Sequence, residues 1–154
     1  MLPVYELANT DGVRVSSPKD EGALVCFIKE DCPTCKEVMP VLDAFFAQYG
    51  EHMAVQVLGQ TQKGNSALTA AFSPNFSILD DSALQVSFAA DIQTVPTLLR
   101  TDANGKELTR LVGFVRDEWQ AMVSELDTLT GQQSMSLNWS DLPDWRPGCG
   151  SLSV

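Results

Sequence analysis

The sequence predicts an α/β domain with a mixed central sheet and helices on both faces. Three observations carry that reading. Residues 23–58 run strand, amphipathic helix, strand; an Asn-Gly hairpin sits between two apolar runs at residues 97–112; and a second amphipathic helix follows it. A strand–helix–strand unit implies parallel pairing, whereas a tight hairpin implies antiparallel pairing, so the sheet must mix both.

Residues 4–7 and 13–15 have strand character, and Asn9-Thr10-Asp11-Gly12 makes the turn between them. A polar break at residues 18–22 precedes Ala23-Leu24-Val25-Cys26-Phe27-Ile28. That run contains no charged residue and reads as a strand buried on both faces. Between Lys36 and Tyr49, apolar Val38, Val41, Leu42, Phe45, Phe46 and Tyr49 recur in steps of three and four, the spacing of an amphipathic helix. Gly50 is its expected C-cap, and Pro40 inside the pattern predicts a kink. Residues 54–58 form a second strand, and residues 61–65 read as loop. A short helix is expected over residues 66–72, a short strand over 76–79 closed by Asp80-Asp81, and weak helix over 83–90. Residues 97–100 and 108–112 flank Asp102-Ala103-Asn104-Gly105-Lys106, a hairpin signal. The final helix covers residues 117–129, with Trp119, Met122, Val123, Leu126 and Leu129 on one side. Residues 1–130 therefore make the domain. Residues 131–154, rich in Ser, Gln, Asn, Pro and Gly, read as a tail partly docked through Trp139 and Trp145, or flexible.

The 154 residues, 44% apolar, suit one domain with a core that needs no disulfide staples. Ten Lys and Arg stand against twenty Asp and Glu, a net charge of −10. Such a field repels a phosphate backbone, so no nucleic-acid partner is expected. The basic residues are scattered singly, which gives no polybasic lipid anchor, and no apolar run reaches membrane-spanning length. Residues 1–6 lack a basic segment followed by an apolar stretch, so no signal peptide is expected and the expected compartment is cytoplasmic.

Four cysteines and one histidine are the informative minority. Cys32-Pro33-Thr34-Cys35 is a C-x-x-C placed just past the buried strand and at the start of the helix. Unpaired backbone N–H groups and the positive end of the helix dipole favour a thiolate at Cys32, and the thiolate is the nucleophile of disulfide exchange. Cys35 lies one turn on and is directed back toward Cys32, where it can resolve a mixed disulfide. Pro33 in the first turn removes an N–H that would have no helical partner. Other readings weigh less. A zinc site would need Cys26, Cys149 or His52 to complete four ligands, from a strand interior, a distant tail and the far end of the helix. A purely structural disulfide across so short a loop constrains little. Coincidental thiols on an unrelated domain are the third. No metal and no cofactor is expected.

The segment from Leu24 to Lys36, with Pro40 beyond it, resembles the active-site strand and helix of the thioredoxin-like superfamily. Thr94-Val95-Pro96-Thr97 resembles that family's cis-proline loop, and Asp102 to Lys106 with Leu111-Val112-Gly113-Phe114 resembles its following hairpin. The leading Leu2-Pro3-Val4-Tyr5-Glu6-Leu7 with Asp11-Gly12-Val13, and the long connection over residues 58–91, are similar to the N-terminal hairpin and central insertion of the peroxiredoxin-like and cytochrome-maturation thioredoxins. The resemblance covers residues 1–130 and implies a three-layer thioredoxin-like fold. It implies a thiol-disulfide oxidoreductase with Cys32 as attacking and Cys35 as resolving thiol. Pro96 would be the cis-proline, and the Val95 backbone would pair with an extended substrate. Protein or small-molecule disulfides would be the substrates, served by an upstream reductase or oxidase.

Several residues depart from the family pattern. Asp31 stands where Trp is usual, and Glu30 and Asp31 together are expected to raise the Cys32 pKa. Pro33 and Thr34 replace the common Gly-Pro pair, which tunes the potential. Cys26 occupies the place of a buried acid and reads as a small buried hydrophobe, with a third redox thiol as the sharper alternative. Cys149 is flanked by Gly148 and Gly150, which predicts a mobile backbone and an accessible thiol. The tail either delivers Cys149 to Cys32 or to another chain, or carries an incidental thiol on a frayed end. His52, Asp80, Asp81, Asp141 and Asp144 read as surface or turn residues. Two other functions remain in play. A peroxiredoxin-type thiol peroxidase would want Thr or Ser where Lys29 stands. A thioredoxin-fold adaptor would use the acidic surface or the tail without catalysis.

Overall fold

The computed structural model describes residues 1–133 and 135–154. Strands β1 (Glu6–Ala8) and β2 (Arg14–Ser16) form the leading hairpin, with Leu7 opposite Val15. Asn9 closes its turn by accepting the backbone N–H groups of Asp11 and Val13. Strand β3 (Ala23–Ile28) is buried at every residue, as its uninterrupted apolar run requires. It lies at the centre of a five-stranded sheet. On one side it pairs parallel with β4 (Ala54–Gly59), which pairs parallel with β5 (Ile78–Asp80). On the other it pairs antiparallel with β7 (Thr97–Thr101), which continues antiparallel into β8 (Glu107–Val112). The sheet order is β5-β4-β3-β7-β8, a mixed sheet. The Asn104-Gly105 hairpin forms as expected, with Gly105 at φ 79° and Asp102 accepting the N–H groups of Asn104 and Lys106.

Helix α1 (Pro33–Tyr49) begins inside the C-x-x-C and continues through Pro40. It packs against α4 (Arg116–Thr130) through a cluster of aromatic rings. Phe45 lies 5.9 Å from Tyr49 and 5.8 Å from Trp119, and Phe114 lies 5.4 Å from Trp119, within the range of favourable ring pairs. The Tyr49 hydroxyl donates to Asp127 at 2.7 Å, joining the two helices at their far ends. Leu129, expected on the buried side of α4, is exposed, because the helix turns its Trp119, Met122, Val123, Leu126 stripe inward one turn earlier.

Helix α2 (Gln62–Phe72) begins earlier than the sequence suggested. Thr61 caps it by accepting the Gly64 N–H, so the polar stretch expected as loop becomes the first turn. Helix α3 (Gln85–Ala89) is a single short turn anchored by Asp81. That carboxylate, expected as a solvated turn residue, is buried and accepts the N–H groups of Val86 and Ser87 and the Ser87 hydroxyl.

Short strand β6 (Thr94–Val95) precedes a cis Val95–Pro96 bond, and β9 (Phe114–Val115) follows Gly113. Both pair with the chain beyond α4. After a one-turn 3₁₀ helix at Trp139–Asp141, β10 (Trp145–Arg146) pairs antiparallel with β9, and β11 (Cys149–Gly150) pairs antiparallel with β6. Leu137, Trp139 and Leu142 pack partly buried against the core, while Trp145 is largely exposed. Among the described residues no helix is long and apolar enough to cross a membrane.

Candidate functional site: a three-thiol cluster at the start of helix α1

Strand β3 delivers the chain to the end of the sheet, and residues 29–31 turn it into α1. Cys32 is the N-cap of that helix, with an extended backbone (φ −99°, ψ 115°) and Pro33 in the first turn. Its amide donates to the Lys29 carbonyl at 3.2 Å, and its carbonyl accepts the Lys36 N–H at 3.2 Å. Cys35, one turn into the helix, accepts the Lys29 N–H at 3.4 Å. The cis-proline segment closes the other side, where the Val95 carbonyl lies 3.5 Å from the Cys32 sulfur. The four cysteines are free thiols, and Cys26, Cys32 and Cys35 are buried.

The environment separates the thiols sharply. Hydrogen bonding from the Cys35 thiol is the largest influence on Cys32 and brings its pKa down to about 5. Burial opposes this; a hydrogen bond from Cys149 and the backbone amides of Cys35 and Thr34 add to it. Cys35 is driven far up, first by burial and then by donating to, and lying beside, the Cys32 thiolate. One sulfur thus favours the thiolate and the other stays protonated. Cys26 is pushed up by burial alone; it sits mid-strand between Val57 and Leu98. Those neighbours fit the expectation of a buried hydrophobe.

The upward push expected from Glu30 and Asp31 does not materialise. Lys36 lies 3.9 Å from Glu30 and Lys29 lies 3.4 Å from Asp31, so each carboxylate is drawn to a cation rather than to the sulfur. Donors converging on Cys32 decide its pKa instead.

The tail brings Cys149 to Cys32, as one of its two readings expected, but not on the mobile backbone that the flanking glycines suggested. Its backbone is held in β11, register-paired with Val95, and its thiol is half-buried against Cys32. Hydrogen bonding to Cys32, then burial and the Cys32 charge, raise its pKa to about 11. The flanking Gly148 is present for proximity rather than mobility. A Cβ there would lie 2.4 Å from Thr94 Cγ2 and 2.5 Å from the Val95 oxygen.

Beyond Trp139, sequence reasoning missed the polar contacts that hold the end of the tail at the site. Thr34 Oγ1 donates to the Pro147 carbonyl at 2.6 Å, and Lys29 Nζ donates to the Gly150 carbonyl at 2.9 Å. Arg146 pairs with Glu37 at 3.2 Å. Buried Gln60 donates to Ser151 Oγ and accepts the Leu152 N–H. The only signal in the sequence was the Gly-Cys-Gly triplet itself. His52 is exposed and contacts Gln132 far from the thiols. Among the described residues no group of three or more His, Cys, Asp or Glu is arranged to hold a metal ion.

The thioredoxin-like domain family matches residues 11–127. The chain belongs to the thioredoxin-like family. No curated protein matches by sequence. Solved structures share the fold at low identity. An uncharacterised conserved protein from Geobacillus kaustophilus is 18% identical, with a TM-score of 0.73 over 97% of this chain and 88% of that one. The exposed lipoprotein thioredoxin Etrx1 of Streptococcus pneumoniae is 18% identical, with 0.71 over 82% and 99%. A secreted Mycobacterium tuberculosis disulfide oxidoreductase homologous to E. coli DsbE is 18% identical, with 0.64 over 79% and 95%. In this thioredoxin-like chain the matched region stops at α4, so the tail that reaches Cys32 lies outside it.

Proposed function

We propose that the chain is a thiol-disulfide oxidoreductase that exchanges disulfides through Cys32 and Cys35. The observation that carries this reading is the placement of Cys32 as the N-cap of α1, receiving the Cys35 thiol and flanked by the Val95–Pro96 segment. The Cys32 thiolate attacks one sulfur of a substrate disulfide and the other leaves as thiolate. Cys35 then gives up its proton and attacks the Cys32 sulfur, which releases the substrate as dithiol and leaves a Cys32–Cys35 disulfide. Val95 and Pro96 form the docking edge for an extended segment, bound through main chain. Pro33 and Thr34 set the local geometry. Cys26 takes no part in this scheme.

Protein and small-molecule disulfides are the substrates, and an upstream reductase resets the pair. In a reducing cytoplasm the pair rests as dithiol and works as a reductase. A second reading runs the same exchange in the oxidising direction. The depressed Cys32 pKa favours it, because stabilising the thiolate stabilises the reduced form. The reduction potential decides: thioredoxin stands at roughly −270 mV and DsbA at roughly −120 mV. A peroxidase reading lacks the hydroxyl it would want, since Lys29 stands there and turns its side chain to Gly150 and Asp31.

Dithiothreitol-driven reduction of insulin tests the assignment. The wild-type chain accelerates it and Cys32→Ser abolishes the acceleration; activity surviving in Cys32→Ser refutes the assignment.

A further inference from the structure

Cys32 is fully buried, an odd state for a nucleophile that must meet a substrate. The chain's own C-terminal segment covers it. β11 adds to the edge of β6, with Cys149 opposite Val95 and Gly150 opposite Thr94. That edge is where an exchange substrate would pair. The segment is fastened on both shoulders of the site: Lys29 before the first cysteine, Thr34 between the two, and Glu37 in the helix beyond them. Gly148 allows the close approach, and Ser151 and Leu152 tie the far end to Gln60. The side chain presented to Cys32 by this strand is a thiol.

We propose that the C-terminal strand is a built-in disulfide partner and that Cys149 is a third redox-active thiol of the site. This rests on the exchange reading of Cys32 and Cys35. When that pair is oxidised, the Cys149 thiolate attacks the Cys32 sulfur. The Cys32–Cys149 bond forms, the Cys32–Cys35 bond breaks, and Cys35 leaves as thiolate and takes up the proton that Cys149 released. No electrons are gained or lost, so the step needs no co-reactant. Its effect is to carry the disulfide from the buried pair to the half-buried Cys149, where an external thiol can reach it.

The electrostatics agree with the geometry. The influences that keep Cys149 protonated are led by its contact with the reduced Cys32. Oxidation of Cys32 removes that thiolate and so its two upward pushes on Cys149; burial and Asp31 still favour the thiol, and Lys29 favours the thiolate. Cys149 therefore ionises more readily beside an oxidised pair than beside a reduced one, and its place opposite Val95 sets it against the Cys32 sulfur. While docked, the strand occupies the edge that an extended substrate would use.

The test uses full-length Cys35→Ser protein treated with oxidised glutathione, then mapped by non-reducing peptide mass spectrometry. The expected product is a Cys32–Cys149 disulfide, formed as Cys149 displaces glutathione from Cys32. In Cys35→Ser/Cys149→Ser the glutathione adduct on Cys32 should persist. A stable adduct on Cys32 with Cys149 present overturns this proposal alone. An unmodified Cys32 in both variants, with neither a glutathione adduct nor a Cys32–Cys149 disulfide, overturns the exchange reading with it. Gly148→Val checks the strand independently. Its Cβ cannot fit against Thr94 and Val95, so alkylation of Cys32 should accelerate on the order of tenfold or more as docking contacts are lost. An unchanged alkylation rate shows that the strand does not guard the site.

Discussion

Replacing Cys35 by alanine should move the Cys32 titration in a calculable way. The Cys35 thiol is the leading reason that the Cys32 pKa lies at about 5. A hydrogen bond to a charged acceptor contributes about 1.5–3 kcal/mol, and one pKa unit corresponds to about 1.4 kcal/mol. Loss of that donor should therefore raise the midpoint by about 1–2 units, to about 6–7. Cys149 and the amides of Thr34 and Cys35 still favour the thiolate, so the midpoint should not return to the ordinary thiol range. Ultraviolet absorbance of the thiolate, followed against pH in the reduced protein, reads the shift without requiring reagent access to a buried sulfur. Only Cys32 should titrate in the acidic and neutral range. Cys149 is held up to about 11, and Cys26 lies above the ordinary thiol range. A variant midpoint unchanged from wild type would show that the Cys35 donor is not what holds the charge. A wild-type midpoint near an unperturbed thiol would remove the premise.

Two further outcomes follow from the same contacts. Because the folded-state pKa of Cys32 is depressed, its ionisation stabilises the reduced protein fully above the unfolded thiol value of 9.0, and this stabilisation is lost as pH falls toward about 5. The stability of the reduced protein relative to the oxidised should therefore fall on acidification across that window, at up to about 1.4 kcal/mol per pH unit as read by urea unfolding, and a constant difference would contradict the linkage. Asp81→Ala should destabilise the domain by about 1–3 kcal/mol, since it strips the partners from two backbone N–H groups and a hydroxyl in a buried turn. Denaturant unfolding reads this, and a loss within error would mean that solvent replaces the carboxylate.

The parts of the fold legible in the sequence were those with strong local patterning. The apolar run at 23–28 announced its central, doubly buried place, and Asn104-Gly105 announced its hairpin. The C-x-x-C could be placed at a helix start because a strand ended immediately before it and a 3.6-residue pattern began immediately after. Thr61 and Asp81 show why other parts were not. A polar residue that caps a helix and one that lies in a loop look alike until the partners are known. The pKa of Cys32 was misjudged because sequence neighbours were counted as spatial neighbours. Glu30 and Asp31 are adjacent in the chain, yet they engage Lys36 and Lys29, while the donors that matter include one 117 positions away at Cys149. The docking of β11 on β6 is a contact of two-residue strands, too short to leave a periodic trace.

The pairing of β10 with β9, with Arg116 bound to Asp144 and to the Leu142 carbonyl, fixes the tail up to the doorstep of the site. Any lifting of the tail from the site is then confined to residues 147–154. A peptide tethered so closely revisits its docking edge at an effective concentration on the order of millimolar. On the proposed docking, an incoming substrate would compete against that standing occupant. A weak, compact disulfide protein would lose the contest, whereas a segment that extends along β6 and also offers a reactive disulfide would win it. Selectivity in this chain would then be set less by a shaped pocket than by the strength of its own last strand.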